Sequence, residues 1–131
     1  MNKFKHILLV LVVTLLLVGC KSNNVNSISY EKFKEKIDKK ESLILFFGES
    51  KTLETTLNNV LNKYDLKAYK IKTSSLNEDE LNELKGIIDY EEPSICFIVD
   101  GINPTKLTNI TDEYIEESKL ETVLKNLNFI K

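Results

Sequence analysis

Apolar and polar positions along the chain follow two different periods, and their alternation predicts alternating helices and strands. Apolar residues spaced three and four apart indicate amphipathic helices, whereas short continuous or alternating apolar runs between them indicate strands. The pattern predicts helices that begin after Ser29, over 52–64, after Asn77 and after Ser118. It predicts strands over 43–47, 66–71, 95–99 and 105–110, with a weaker candidate over 25–28.

Side chains at three of these helix starts can bond the backbone N–H groups that have no partner inside the helix. Ser29 can cap the first helix in this way. Asn77 with Glu80, and Ser118 with Glu121, each have the spacing of a capping box, in which two side chains bond each other's backbone N–H groups. The sequence therefore predicts defined starts for these three helices.

The strand runs indicate the fold class. Residues 43–47 are apolar throughout, which is typical of a central strand that is covered on both faces. After the run 95–99, Asp100 and Gly101 predict a hairpin turn that leads into an antiparallel strand. Helices and strands in this order predict one α/β domain, with helices on both faces of a mixed sheet.

The first 19 residues have the layout of a secretory signal peptide. Lys3 and Lys5 precede residues 7–18, which are apolar except for Thr14. A helix that crosses a bilayer needs about 20 apolar residues, and this run is shorter and is followed at once by polar residues. The segment is therefore expected to be removed, not to span the membrane.

Leu17-Val18-Gly19-Cys20 resembles the lipobox of bacterial lipoproteins. The resemblance implies cleavage before Cys20, thioether diacylation of its sulfur, and a protein held by lipid at the extracytoplasmic face of the cell membrane, as in a Gram-positive-like bacterium. The alternative is an ordinary cleaved signal peptide that leaves an unmodified thiol. We therefore expect a signal peptide over 1–19, a lipidated N-terminus and flexible tether over 20–28, and a folded domain over 29–131.

Charge and composition of the remaining chain exclude nucleic acid as a partner. The chain has 20 acidic residues and 18 lysines, and loss of Lys3 and Lys5 leaves a net charge of about −4. The lysines alternate with Glu and Asp along the predicted helices and do not form the basic patch that phosphate contacts require. We expect a monomeric domain whose partners are the membrane, through the lipid, and an extracytoplasmic protein or peptide.

The cysteine and histidine counts exclude several chemistries. The chain has two cysteines and one histidine, and His6 would leave with the signal peptide. If the lipid occupies Cys20, only Cys96 remains, so no disulfide can form within the domain. Without imidazole there is neither a Cys and His metal site nor a His base for a nucleophile. We expect no metal and no cofactor, and the sequence favours a protein that is not an enzyme.

Two segments resemble the thioredoxin-like fold: Phe46-Phe47-Gly48 entering a helix, and the run from Glu92-Pro93 through Cys96 to the Asp100-Gly101 turn. The resemblance covers residues 28–131, and it is most similar to small proteins of the bacteriocin transport accessory type. It implies a three-layer αβα sandwich with a mixed central sheet. It also implies a cis peptide bond between Glu92 and Pro93.

The chain departs from that family at the redox site. The family places a thiol at the start of the helix after the first central strand, and a second thiol three residues on. Counted from Phe47-Gly48, with a margin of one residue, these positions fall on Thr52 and Thr55, and no residue of 49–56 is cysteine. A hydroxyl has a pKa far above 7 and cannot attack a disulfide, so ordinary thioredoxin chemistry is not expected.

Cys96 has two interpretations. Within a five-residue apolar strand it is expected to be a small buried side chain with a raised pKa. The alternative is a reactive thiol that serves as a one-cysteine transferase or pairs with another protein.

Pro93 also has two interpretations. In the family, the backbone beside this proline pairs with an extended client peptide, so Glu92 and Pro93 could form a binding site without redox chemistry. Alternatively, Pro93 only preserves the fold. The leading functional hypothesis is a lipid-anchored, redox-inactive binding or accessory module. The alternatives are a thiol-disulfide enzyme that uses Cys96, and an accessory role in bacteriocin secretion or immunity.

Overall fold

A computed structural model of the chain describes residues 23–101, 108–111 and 115–131. The predicted signal peptide and Cys20 lie outside the described residues, as does most of the turn between the last two strands. No helix within the described residues has the length and apolar character needed to cross a membrane.

The described elements alternate along the chain in nearly the predicted order. The strands are β1 (Val25–Ser27), β2 (Leu43–Phe47), β3 (Ala68–Ile71), β4 (Ser94–Ile98) and β5 (Thr108–Ile110). The helices are α1 (Tyr30–Asp38), α2 (Lys51–Tyr64), α3 (Glu78–Ile87) and α4 (Glu117–Asn126), with a short 3-10 turn at Thr73–Ser75.

The strands form one mixed sheet in the order β1-β3-β2-β4-β5. Strands β1, β3 and β2 are parallel, whereas β4 is antiparallel to β2 and β5 is antiparallel to β4. In the register of the central strands, Phe46 lies between Lys70 on β3 and Ile95 on β4. The mixed central sheet is as predicted.

Strand β2 is buried on both faces because its side chains alternate between two hydrophobic cores. Ile44 and Phe46 belong to the core formed with α2 and α4, and Leu45 and Phe47 belong to the core formed with α1 and α3. Both phenylalanines are fully buried. The two helix layers therefore enclose the sheet, and the predicted three-layer αβα sandwich is confirmed.

The capping residues predicted for α1 and α3 are confirmed. Ser29 Oγ accepts the Lys32 N–H at 3.2 Å. Asn77 Oδ1 accepts the Glu80 N–H at 2.8 Å, and Glu80 Oε1 accepts the Asn77 N–H at 3.1 Å, which completes the capping box.

The start of α4 differs from the prediction. Its N-cap is Glu116, and no side chain bonds the cap, so Ser118 lies inside the helix. Glu121 instead accepts hydrogen bonds from Lys63 Nζ at 2.9 Å and from the Tyr64 hydroxyl at 3.0 Å. The predicted capping box is wrong because Glu121 joins α4 to the end of α2.

The ordered domain also begins earlier than residue 29. Val25 is 5% exposed and packs in the core beneath α2, and the segment Val25–Ser27 pairs with β3. The Asn24 N–H donates to Asn58 Oδ1 on α2 at 2.8 Å. A flexible tether over 20–28 is therefore wrong for residues 24–28, since the sheet holds them, and the weaker expectation of a strand over 25–28 is correct.

Candidate functional site

Three segments meet at one end of the sheet, where the inner strands β2 and β3 end and β4 begins. Phe47, the last residue of β2, is paired with Ile71 on one side and with Ser94 on the other. Gly48, Lys72 and Pro93 are the next residues outward from these three, so the pairing of the strands places them together.

Gly48 and Pro93 are in close contact at this end of the sheet. The Glu92–Pro93 peptide bond is cis, the geometry that the resemblance implies. Gly48 has φ +84°, and a Cβ atom at this position would lie 3.0 Å from Pro93 Cα and 3.1 Å from Glu92 Cβ. Both the backbone angle and the close approach require glycine here.

A surface pocket of about 280 Å³ opens beside this contact. It is lined by Gly48, Glu49, residues 70–73, Glu92 and Pro93, and we call it the Pro93 groove. The two residues that the sequence proposed for binding, Glu92 and Pro93, therefore lie side by side in its wall.

An ion pair crosses the Pro93 groove between β3 and the loop after β2. Lys70 Nζ lies 3.0 Å from Glu49 Oε1. The Lys70 side chain is 14% exposed, and its ammonium lies 5.6 Å from the centre of the Phe46 ring, whereas the Glu49 side chain is 81% exposed. The cation is thus part of the wall of the groove, and its carboxylate partner is mostly in solvent. Sequence reasoning missed this pair because it depends on strand register.

Glu92 contributes both its side chain and its backbone. Its carboxylate accepts the Thr73 hydroxyl at 2.5 Å, which links the loop before β4 to the turn after β3. The pairing between β2 and β4 ends at Ser94, and within the described part of the chain no other backbone group bonds the Glu92 backbone. An exposed backbone segment therefore continues β4 along the groove.

The loop that carries Glu92 is supported by an aromatic pair. The Tyr90 ring stacks on Phe47 with 4.4 Å between ring centroids and an interplanar angle of 13°. Burial, with a smaller contribution from the Glu92 charge, raises the Tyr90 pKa. The core thereby fixes the position of the groove wall.

The start of α2 is capped by a serine hydroxyl. Ser50 is the N-cap, and its Oγ accepts the Leu53 N–H at 3.3 Å. Thr52 and Thr55 are exposed on the helix and are not among the residues that line the groove. Their assignment to the two missing thiols stays a prediction. Ser50 was missed, although a serine before a helical apolar pattern is itself a start signal.

Cys96 lies in the core formed with α1 and α3 and is fully buried. Burial raises the pKa of its thiol to about 12, the hydrogen bond with Ser94 opposes that shift, and the Asp89 charge adds slightly to it. The Ser94 Oγ and Cys96 Sγ atoms are 3.6 Å apart. The prediction of a buried cysteine with a raised pKa is confirmed. In the described ranges, no cluster of three or more His, Cys, Asp or Glu residues could hold a metal ion.

No protein-family model and no curated protein matches the chain. Solved structures do match. Thioredoxin O2 from Arabidopsis thaliana has a TM-score of 0.55 and 15% identity, covering 80% of this chain and 95% of the other. Chloroplastic thioredoxin z has a TM-score of 0.60 and 19% identity, with coverages of 82% and 96%. Thioredoxin from Trypanosoma brucei brucei has a TM-score of 0.60 and 14% identity, with coverages of 82% and 94%. The chain therefore has a thioredoxin-like fold, which is compatible with a redox module or a binding module.

Proposed function

We propose that this protein is a redox-inactive binding module that takes an extended segment of a partner protein or peptide into the Pro93 groove. The observation that carries the proposal is the Glu92 backbone, which lies beside the open groove with no backbone partner in the described residues. A peptide that runs along Glu92 would extend the sheet by one strand through main-chain hydrogen bonds. Alternate side chains of that peptide would then point into the groove.

The residues around the groove favour binding over redox chemistry. At the start of α2, where helix N–H groups would stabilise a thiolate, the chain has the Ser50 hydroxyl. The Cys96 thiol is buried and its pKa is about 12, so the thiolate needed for attack on a disulfide is scarce. We therefore prefer binding to a thiol-disulfide activity through Cys96.

We further propose that the domain is anchored by lipid on Cys20 at the extracytoplasmic face of a cell membrane. The lipobox-like sequence before Cys20 supports this. The fold is consistent with it, because β1 runs parallel to β3 and therefore begins at the end of the sheet opposite the groove. A chain anchored just before Asn24 would leave the groove directed away from the lipid.

Lipid attachment predicts that Cys20→Ser abolishes lipidation and, with it, removal of the signal peptide. After expression of the full chain in a Gram-positive host, we expect the N-terminal peptide to begin at residue 20 and to carry a diacylglyceryl group, measured by mass spectrometry. In the variant, cleavage and lipid should both be lost, because the sulfur is the attachment atom. Cys96→Ser is the matched control and should behave as wild type. An unmodified residue 20 in the N-terminal peptide of the wild-type protein would rule out this anchor.

Binding in the groove predicts position-dependent crosslinks in intact cells. A photoreactive p-benzoylphenylalanine in place of Glu92 should give discrete adducts with a partner. The same residue in place of Lys125, which is exposed on α4, should not. Adducts of the same size from both positions, or none from either, would contradict the proposal. The bacteriocin accessory alternative makes a narrower forecast, namely a peptide toxin or its transporter among the adducts from position 92.

A further inference from the structure

We propose that the Pro93 groove selects an acidic side chain, and that Lys70 binds its carboxylate in the place that Glu49 now occupies. The inference rests on the proposed binding of an extended peptide. It adds the chemical class of the ligand and assigns Lys70 as the residue that determines specificity, with Glu49 as an internal competitor.

Lys70 is placed as a binding residue, not as an ordinary surface lysine. Its side chain is 14% exposed, although its ammonium reaches the groove. The pairing of β3 with β2 holds it opposite Phe46, and the Phe46 ring lies 5.6 Å from the ammonium. Because strand and ring restrict the side chain, little conformational entropy remains to be lost when an anion binds.

The ion pair that Glu49 forms with Lys70 is weak. Its carboxylate is 3.0 Å from Lys70 Nζ, but its side chain is 81% exposed on the loop between β2 and α2. Ion pairs whose partners are open to water contribute little net free energy. A peptide carboxylate that is already held beside Glu92 by main-chain hydrogen bonds can therefore displace Glu49 into solvent at small cost.

The remaining charges of the groove also favour an acidic ligand. The Glu92 carboxylate already accepts the Thr73 hydroxyl. Lys72, two residues beyond Lys70, lines the groove and is exposed, and the described residues place no carboxylate in an ion pair with it. Once Glu49 moves away, the groove keeps the ammonium groups of Lys70 and Lys72 and one carboxylate, that of Glu92, which is already hydrogen-bonded. An acidic peptide side chain is then attracted and a basic one is repelled.

The test compares two sets of extended peptides on the full chain in detergent. The sets are identical mixtures except for Glu in one and Gln in the other at alternate positions. All peptides are amidated at the C-terminus, so that only side-chain carboxylates differ, and binding is measured by fluorescence anisotropy. We expect the Glu set to bind about fivefold or more tightly, the range of a single ion pair at a partly exposed site.

Three variants separate the roles of the charges. Lys70→Met keeps the length of the side chain and should abolish the preference for the Glu set. Glu49→Gln removes the competitor and should tighten binding of the Glu set by up to about fivefold. Lys67→Met, at an exposed position before β3 at the far end of the sheet, is the matched control. It should change neither the preference for the Glu set nor the affinity for that set.

The outcomes distinguish this inference from the proposed function. If both sets bind equally to wild type, the groove binds peptides without acidic preference and the inference is overturned. Weaker binding to Glu49→Gln would also overturn it, because Glu49 would then be a contact of the ligand. If Lys70→Met does not fold, the response of Glu49→Gln decides. Failure of both sets to bind would reject the proposed function together with the inference.

Discussion

Gly48→Ala is expected to lower the free energy of unfolding by about 2–5 kcal/mol. A non-glycine residue in a left-handed conformation costs about 1–2 kcal/mol, and overpacking costs about 1–3 kcal/mol more. Both apply, because φ is +84° and the added Cβ would lie 3.0 Å from the Pro93 backbone. Since the Gly48 to Pro93 contact forms one wall of the groove, the variant should also weaken peptide binding. The measurement is urea-induced unfolding, monitored by circular dichroism.

Gly86→Ala is the matched control for that substitution. Gly86 lies in α3, is exposed, and an added Cβ would meet nothing within 4 Å. Alanine is a better helix former than glycine, so this variant should stabilise the protein by about 0.5–1 kcal/mol. Opposite signs for the two substitutions are the expected result. A Gly48→Ala variant as stable as wild type would show that Pro93 does not lie against Gly48.

The native Cys96 thiol is expected to react with a disulfide reagent at least about a hundredfold more slowly than the same thiol in the unfolded chain. A rise of the pKa from 9.0 to about 12 lowers the thiolate population by about a thousandfold at neutral pH. A more basic thiolate is also a stronger nucleophile, which offsets part of this thousandfold loss in rate. Complete burial of Cys96 then blocks access by the reagent.

The rates should be measured in Cys20→Ser, in which Cys96 is the sole cysteine. The variant is compared under native conditions and in guanidinium chloride, at the same pH, by release of the chromophore from 5,5′-dithiobis(2-nitrobenzoate). Because a buried thiol reacts only when the structure opens, a stabilising change such as Gly86→Ala should slow the native rate further or leave it unchanged. Equal native and unfolded rates would support the alternative of a reactive Cys96.

The features that sequence reasoning predicted are those that depend on local pattern. The apolar run 43–47 is typical of a strand covered on both faces, and its residues divide between two cores as expected. Asn77 and Glu80 form their capping box because both partners lie within one helical turn. Pro93 and the apolar run after it predicted the position of the loop before β4. The Glu92–Pro93 bond in the structure is cis, as the resemblance implied.

The features that were missed or only weakly indicated depend on contacts between distant segments. β1 was predicted only as a weaker candidate over 25–28, because it has one buried apolar residue, Val25, and is fixed by β3 and by the Asn24 bond to Asn58. Glu121 could cap its own helix, but tertiary contacts with α2 compete for it. The predicted strands over 66–71 and 95–99 are shifted by one or two residues for a similar reason, since pairing with neighbours decides where a strand ends.

The candidate site was only half visible in the sequence. Glu92 and Pro93 were identified by resemblance to a known fold, and the structure places both in the wall of the groove. Glu49 and Lys70 also line the groove; they are 21 residues apart and meet because β2 and β3 are parallel neighbours. Strand order and register, which the sequence does not state, therefore supply the charged half of the site.

The most direct test of a thioredoxin-like fold that binds without redox chemistry is the reduction of insulin disulfides by the full chain in detergent with dithiothreitol as reductant. The rate of insulin precipitation should equal that of dithiothreitol alone for wild type and for Cys96→Ser, because the residues that the structure describes present no accessible thiolate. A catalytic rate in wild type that is lost in Cys96→Ser would contradict the account and establish a one-cysteine oxidoreductase.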